Sequence, residues 1–308
     1  MARSSGSSRA HAELAQLLRF GGAKIPAGFA AKSLAATKTL LKKNLETPNG
    51  LRAQASKLYG RLGGASPIDV HDPANQPALD ALLAQHKKIA AKKLAFPKVR
   101  PGLGSIFPLP GTISGTVVPP FDFADFIPSL GANVHNPTMS ASASVNGQIS
   151  GSVVSASAIG FNTGNEYARV GIYFHPIADG TLTISATPTF SFQWSTNSLN
   201  TSFVGSSGGV ALTIYALNDE FQIGATAGTP YVSWENFDCG QIHFGFGFDV
   251  QQSASASLQV SPGWVYLCFV EVDASATGVG WPGSLATAMA SATVPAISYE
   301  FVPRLLTL

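Results

Sequence analysis

The residues best suited to chemistry in this chain are the lysines and arginines of its first hundred positions. This segment holds 17 of the 19 Lys and Arg residues and 5 of the 17 Asp and Glu residues, which gives it a charge of 17 − 5 = +12. Clustered cations neutralise phosphates and release counterions, so this pattern is typical of salt-sensitive, sequence-independent binding to nucleic acid. The predicted polyanion-binding side chains are Lys38, Lys42, Lys43, Arg52, Lys57, Arg61, Lys87, Lys88, Lys92 and Lys93.

The same cationic segment has three other interpretations. It suits an anionic membrane surface, because apolar residues are spaced among its charges. It also suits the remainder of a neighbouring copy, which carries 2 − 12 = −10. The third is a solvated tail with no partner. Arginine is scarce relative to lysine and aromatic residues are few, so base-specific readout is not indicated.

A second candidate site lies on one predicted strand, where Arg169 shares a face with Tyr173. An arginine among aromatic rings is suited to bind a carboxylate, a phosphate or a sugar. The structural alternative is that Arg169 pairs with a nearby acid, Glu166 or Glu271, and stacks on a tyrosine.

Three aromatic residues indicate a possible glycan site, since flat rings stack on sugars. Trp281 lies in a predicted loop, and Tyr231 and Trp234 follow a predicted turn. The alternative is that rings inside strands fill the core, which is the common role of buried tryptophan and tyrosine.

Metal and catalytic motifs find little support. Asp238, Cys239 and His243 offer one ligand each, fewer than the three or four at recognisable spacing that metal sites use. No strand–turn–helix context surrounds the Gly205–Gly209 segment, so it is not a nucleophile elbow. We therefore predict no metal, no cofactor and no enzymatic activity; a β-sandwich hydrolase is the weakest alternative.

Three segments are expected along the chain. Residues 1–96 are predicted to be a basic arm, partly disordered and partly made of short helices, one of them within 28–46. Its apolar stripes are narrow, so its helices need a partner surface. Residues 97–137 are predicted to be a proline-rich linker packed on the body, because proline at this density forbids a central strand.

Residues 138–308 alternate apolar and polar side chains with a period of two. Predicted strands include 254–260, 264–273 and 294–302, and turns are predicted at 205–209 and at 261–263. The fold class is therefore mainly β, an antiparallel, jelly-roll-like β-sandwich preceded by a basic arm.

The chain has two cysteines, Cys239 and Cys268. Cys268 lies in an apolar run and is predicted to be buried, while a disulfide with Cys239 stays open.

The sequence contains no run of about 18 apolar residues, so no membrane-spanning helix is predicted. No classical signal peptide is recognisable, which favours cytoplasmic synthesis and allows residence in an assembled particle, but leaves the compartment unknown.

These features favour a non-enzymatic structural or assembly protein. The body is expected to form a homo-oligomer, and residues 1–100 are expected to bind nucleic acid, another polyanion or a neighbouring subunit. The alternative from a different class is a glycan- or surface-binding module.

Overall fold

The computed structural model of the chain is built mainly of antiparallel β-sheet, as predicted. Within the residues it describes, the chain forms one short helix, α1, at residues 29 and 31–39, and fourteen strands. The residues described are 28–29, 31–39, 112–127, 138–156, 160–176, 178–198, 203–218, 220–239, 241–280 and 284–304.

The strands range from 5 to 17 residues and follow one another closely along the chain. Their bounds are β1 Ile113–Val117, β2 Phe123–Ile127, β3 Thr138–Ser144, β4 Gln148–Ala156, β5 Gly160–Phe174, β6 Gly180–Ala186, β7 Thr189–Asn197, β8 Phe203–Leu217, β9 Ile223–Cys239, β10 Ile242–Gln251, β11 Ala254–Val260, β12 Val265–Gly280, β13 Leu285–Thr293 and β14 Ile297–Pro303.

These strands form three sheets in two layers. Sheet 1 has the order β2-β5-β12-β8-β9, sheet 2 the order β1-β14-β6-β11, and sheet 3 the order β10-β7-β13-β4-β3. Sheets 2 and 3 make up one layer, because β6 leads into β7, β10 into β11 and β13 into β14. Only residues 187–188, 252–253 and 294–296 separate these pairs.

The strand order is that of a jelly roll. When each of those three pairs is counted as one long strand, the second layer reads β4, β13–β14, β6–β7, β10–β11. The first layer reads β5, β12, β8, β9. Eight long strands in two four-stranded antiparallel layers define this architecture. The predicted fold class is therefore confirmed.

The core lies between the layers and follows from strict alternation along the strands. Val170, Ile172 and Phe174 of β5 point inward and are completely buried, and they meet Leu182 and Ile184 of β6. Full burial of each such side chain contributes about 2–3 kcal/mol relative to an exposed position. The opposite side of β5 carries the polar residues described below.

Helix α1 covers part of the outer face of sheet 1. The ring of Phe29 meets Tyr173 edge-on with centroids 5.1 Å apart and lies 5.2 Å from the ring of Phe221. Ala36, two turns further along, packs against the same cluster. The partner surface that was predicted for the arm helices is, for α1, the body of its own chain. The remaining predictions for the arm concern residues outside those described.

The proline-rich segment 97–137 contributes two strands of the sandwich. β1 is the outermost strand of sheet 2 and β2 is the outermost strand of sheet 1. Edge positions leave one side of each strand without a ladder partner, which is where neighbouring prolines are tolerated.

The predicted turn at residues 205–209 is wrong. These residues lie inside the long strand β8. A Cβ atom on Gly208 would lie 2.7 Å from the Trp234 ring and 2.4 Å from the Asp273 carbonyl oxygen. Glycine is required here by close packing, and it resembles a turn signal only in composition.

Cys268 is a buried, free thiol on the inner side of β12. The predicted burial is confirmed, and the disulfide that the sequence left open is not formed. Burial raises the pKa of the Cys268 thiol well above its usual range, so this side chain acts as a small core residue.

Candidate functional site

Charged side chains are distributed unevenly between the two layers. The nine strands of sheets 2 and 3 contain only two, Asp249 and Glu300. The five strands of sheet 1 contain seven: Asp125, Glu166, Arg169, Glu235, Asp238, Glu271 and Asp273. The molecule therefore has an acidic layer, on which the cationic helix α1 lies, and a nearly uncharged layer.

The outer face of sheet 3 is built from small polar side chains. Hydroxyl groups pair between strands: Ser142 with Ser150 at 2.9 Å, and Ser195 with Thr287 at 2.8 Å. Leu285 and Met289 stand among them with 36% and 44% of their surface exposed. We call this surface the neutral face; it comprises the outward residues of β3, β4, β7, β10 and β13.

One border of the neutral face is a row of apolar side chains on β10. Ile242, Phe244, Phe246 and Phe248 are 64%, 70%, 60% and 63% exposed. The rings follow one another along the strand: Phe244 and Phe246 are stacked with centroids 6.4 Å apart, and Phe246 and Phe248 are tilted with centroids 5.6 Å apart. We call these four residues the aromatic ridge. Contiguous exposed apolar groups of this kind mark interaction sites.

The ridge faces outward because the inner side of β10 has no room for side chains. A Cβ atom on Gly245 would lie 2.4 Å from Nε1 of Trp194, and one on Gly247 would lie 2.5 Å from the Phe192 ring. Alternation alone suggests that the apolar side of a strand faces the core. Here the alternating glycines were the signal that the apolar side faces solvent.

A buried carboxylate anchors the start of β10. Asp238, which is almost fully buried at the end of β9, lies 2.5 Å from Nδ1 of His243 and also accepts hydrogen bonds from Thr196 and Asn236. Through Asp238, the start of β10 at His243 is therefore bonded to β9 of sheet 1 and to Thr196 of β7, which holds the ridge in place.

The outer face of sheet 1 contains the predicted site residue Arg169. Its Nε donates to Asp125 Oδ1 at 2.6 Å and its Nη2 donates to Oδ2 at 3.1 Å. The guanidinium also lies 5.3 Å from the Phe123 ring centroid and 5.1 Å from that of Phe269. The predicted pairing with Glu166 or Glu271 is corrected: the ion pair that the structure shows is with Asp125, which is opposite Arg169 in the β2–β5 register.

Glu271 has a different role beside this pair. Its two carboxylate oxygens accept from the Tyr167 hydroxyl and from Thr213 Oγ1, each at 2.6 Å. Burial and the negative charge of Glu271 raise the pKa of Tyr167 well above its ordinary value. The tyrosine therefore remains a neutral hydrogen-bond donor at physiological pH.

Tyr173, the second predicted site residue on this strand, shares a neighbour with Arg169. Its ring stacks on Phe123 with centroids 4.9 Å apart, and Phe29 of α1 covers it. Burial raises the pKa of Tyr173 to about 12. The structure thus brings Arg169 and Tyr173 together beneath a covered surface, with 0% and 3% exposure.

The predicted glycan contacts Tyr231 and Trp234 lie between the layers. The Tyr231 hydroxyl donates to the Ala186 carbonyl at 3.0 Å, and Trp234 Nε1 donates to Ser206 Oγ at 3.0 Å. The Trp234 ring stacks on Phe192. Tyr231 is buried, so a sugar would reach its ring only if the core opened, whereas Trp234 is partly buried. Trp281 lies outside the described residues, and the ligand role of all three stays a prediction.

Of the predicted polyanion-binding residues, Lys38 is within the described part of the chain and is exposed on α1. Lys42, Lys43, Arg52, Lys57, Arg61, Lys87, Lys88, Lys92 and Lys93 lie outside it. Among the residues described, no three His, Cys, Asp or Glu side chains are grouped as metal ligands. No helix within those same ranges has the length and apolar character needed to cross a bilayer.

The chain matches no family model and no curated protein. Among solved structures it aligns with chains from infectious bursal disease virus, both with a TM-score of 0.12. Against the Gx strain, identity is 11% over 67% of this chain and 64% of that chain. Against the Gt strain, identity is 8% over 68% of this chain and 46% of that chain. The chain thus spans less than two thirds of either, and likeness at this level carries no argument.

Proposed function

We propose that this protein is a non-enzymatic structural or assembly protein. Its β-sandwich body associates with further copies, and its cationic arm engages an anionic partner. The observation that carries this proposal is the near absence of charge from the nine strands of sheets 2 and 3, with Asp249 and Glu300 as the exceptions. Surfaces of small soluble domains usually hold about a quarter to a third charged residues of both signs.

An uncharged surface is suited to burial in a protein contact. Moving an unpaired charge out of water costs several kcal/mol, and no such charge lies on the outward side of β3, β4, β7 or β13. The cross-strand hydroxyl pairs on this side already satisfy one another, which lowers the cost of removing water.

The arm is supported as an anion-binding element by its charge of +12. Helix α1 lies on sheet 1, whose strands supply six of the acidic residues, and its contacts there are with aromatic and apolar side chains. An arm of this charge is suited to a polyanion such as nucleic acid, and equally to the acidic layer of a neighbouring copy.

Sedimentation and electron microscopy of the purified full-length protein test the assembly proposal. The expected result is a particle mass above that of the 31.9 kDa monomer, rising with protein concentration. A protein that stays monomeric from micromolar to millimolar concentration, at every salt level, would contradict the proposal.

Binding to a single-stranded oligonucleotide across a salt series tests the arm. Replacing Lys87, Lys88, Lys92 and Lys93 with Gln is expected to reduce the slope of log K against log salt by up to about 3, since each phosphate contact contributes about 0.7. Arg304→Gln, at an exposed site in the body, is the control and should leave the slope unchanged. Identical slopes for all three proteins would remove the polyanion role.

A further inference from the structure

We propose that two copies of this chain pack face to face through sheet 3, with the aromatic ridge of each copy seated over β7 and β13 of the other. This inference rests on the proposed function and names the contact through which the body associates. The neutral face has three features that such a contact needs: a complementary shape, enough apolar area and little charge.

The surface of the neutral face consists of the aromatic ridge, a groove beside it and a second protruding row. The aromatic ridge runs along β10, and its register partners on β7 are the smaller polar side chains Asn197, Ser195 and Gln193. On the next strand, β13, the side chains of Leu285 and Met289 protrude from the face. Strands lie about 4.8 Å apart, so the two apolar rows are separated by about 10 Å. One copy therefore offers both a protruding row and a depression that accepts such a row.

This combination of protrusion and depression selects a second copy as the occupant. In a two-fold contact the same patch serves both partners, so the patch must complement itself. A ridge beside a groove meets that condition, since rotation by 180° places each ridge in the opposite groove. Its one acidic residue, the exposed Asp249 that follows Phe248 on β10, is too little charge to select a charged partner over an identical one.

The available area fits a stable dimer. The three ridge phenylalanines, Ile242, Leu285 and Met289 together expose roughly 670 Å² of apolar surface, taking about 200 Å² for a complete large side chain. Stable interfaces bury about 800 Å² per partner. The serine and threonine hydroxyls around the ridge supply the remainder as a polar rim.

The two edge strands of sheet 1 make that sheet a poorer contact than sheet 3. β2 carries Asp125 and is only five residues long, and β9 contains Pro230 and Glu235. Proteins blunt free strand edges with charge, proline or short length. On β10 these devices are absent from Ile242 to Phe248, and the first irregularity is the bulge between Gly247 and Val250.

The test is the dissociation constant of the full-length protein, measured by sedimentation for the wild type and three single variants. Phe246→Lys alters the ridge, and Met289→Lys alters the second apolar row, two strands from the edge. The two side chains are 60% and 44% exposed, so the fold should persist, and circular dichroism checks this. Val118→Lys, at a residue 61% exposed outside the face, is the matched control.

Face-to-face packing predicts that Phe246→Lys and Met289→Lys each raise the dissociation constant by at least about 30-fold, the effect of losing an interface hot spot. Val118→Lys should have no effect. Loss with Phe246→Lys but not with Met289→Lys would mean edge-to-edge pairing of β10 and would overturn this inference. Unchanged association of both variants would also overturn it while leaving the proposed function intact. A monomeric wild type would instead defeat the proposed function itself.

Discussion

At the level of single residues, Arg169 shows how a buried charge is tolerated in a sheet. Its guanidinium is completely buried, and Asp125 meets it with two hydrogen bonds while Phe123 and Phe269 lie against it. A buried ion pair adds little net stability compared with well-packed apolar residues, but removing one partner leaves an uncompensated charge.

This leads to a prediction for Asp125. We expect Asp125→Asn to lower the free energy of unfolding by about 3 kcal/mol, because the guanidinium stays buried opposite a neutral amide. Urea denaturation measures the change. The control is Glu300→Gln on an exposed part of β14, which should change stability by less than about 0.5 kcal/mol. A similar small effect at Asp125 would show that Arg169 reaches water or a second acid.

A second prediction at this scale concerns Cys268. The thiolate is the reactive form, and burial raises the pKa of this thiol well above its usual range. We expect Cys268 to resist iodoacetamide at mildly alkaline pH in the folded protein and to react fully in denaturant. Mass spectrometry of the labelled peptide distinguishes it from Cys239. Rapid labelling under native conditions would mean that β12 opens locally.

At the level of elements, β8 depends on glycine for its place in the sheet. The Trp234 ring of β9 lies across Gly208, and its Nε1 donates to Ser206 Oγ. Gly208→Ala is expected to destabilise the protein by about 1–3 kcal/mol, because the methyl group overlaps the ring and the Asp273 carbonyl.

The matched control for this change is Gly151→Ala in β4. There the nearest atom to a new Cβ is the Glu166 Cβ at 3.4 Å, which is an ordinary contact. Thermal unfolding compares the two variants, and near-ultraviolet circular dichroism reports on the Trp234 environment. Equal stability of both variants would show that the tryptophan moves without cost.

Sequence pattern predicts most of these elements and few of their surroundings. The strand at 254–260 and the turn at 261–263 follow directly from alternation and from Ser-Pro-Gly. The Arg169 ion pair was mispredicted because its partner lies 44 residues away and meets it only through strand pairing. The outward ridge was missed because periodicity identifies a strand and its two sides but does not show which side is buried.

At the level of the whole molecule, basic residues are confined almost entirely to the arm. Beyond residue 100 the chain has only Arg169 and Arg304, and Arg169 is completely buried inside β5. The body therefore has almost no accessible site for a protease that cleaves after lysine or arginine.

Limited trypsin digestion of the full-length protein tests this. We expect rapid removal of the arm and a persistent core that begins near residue 101, because cleavage requires local unfolding of the chain around the bond. Mass spectrometry of the core locates both ends, and loss of the last four residues through exposed Arg304 is compatible with the result. Early cleavage after Arg169 would contradict the position of β5 in the sheet.

The aromatic ridge gives the proposed contact a characteristic response to temperature. Apolar association near room temperature is driven by entropy and carries a negative heat-capacity change, so it weakens on cooling. The neutral face has one acidic residue, Asp249, so salt has little to screen there, whereas binding through the arm falls as ionic strength rises. Chilling should therefore loosen the body-to-body contact and added salt should release the arm, so the two contacts can be dissociated independently.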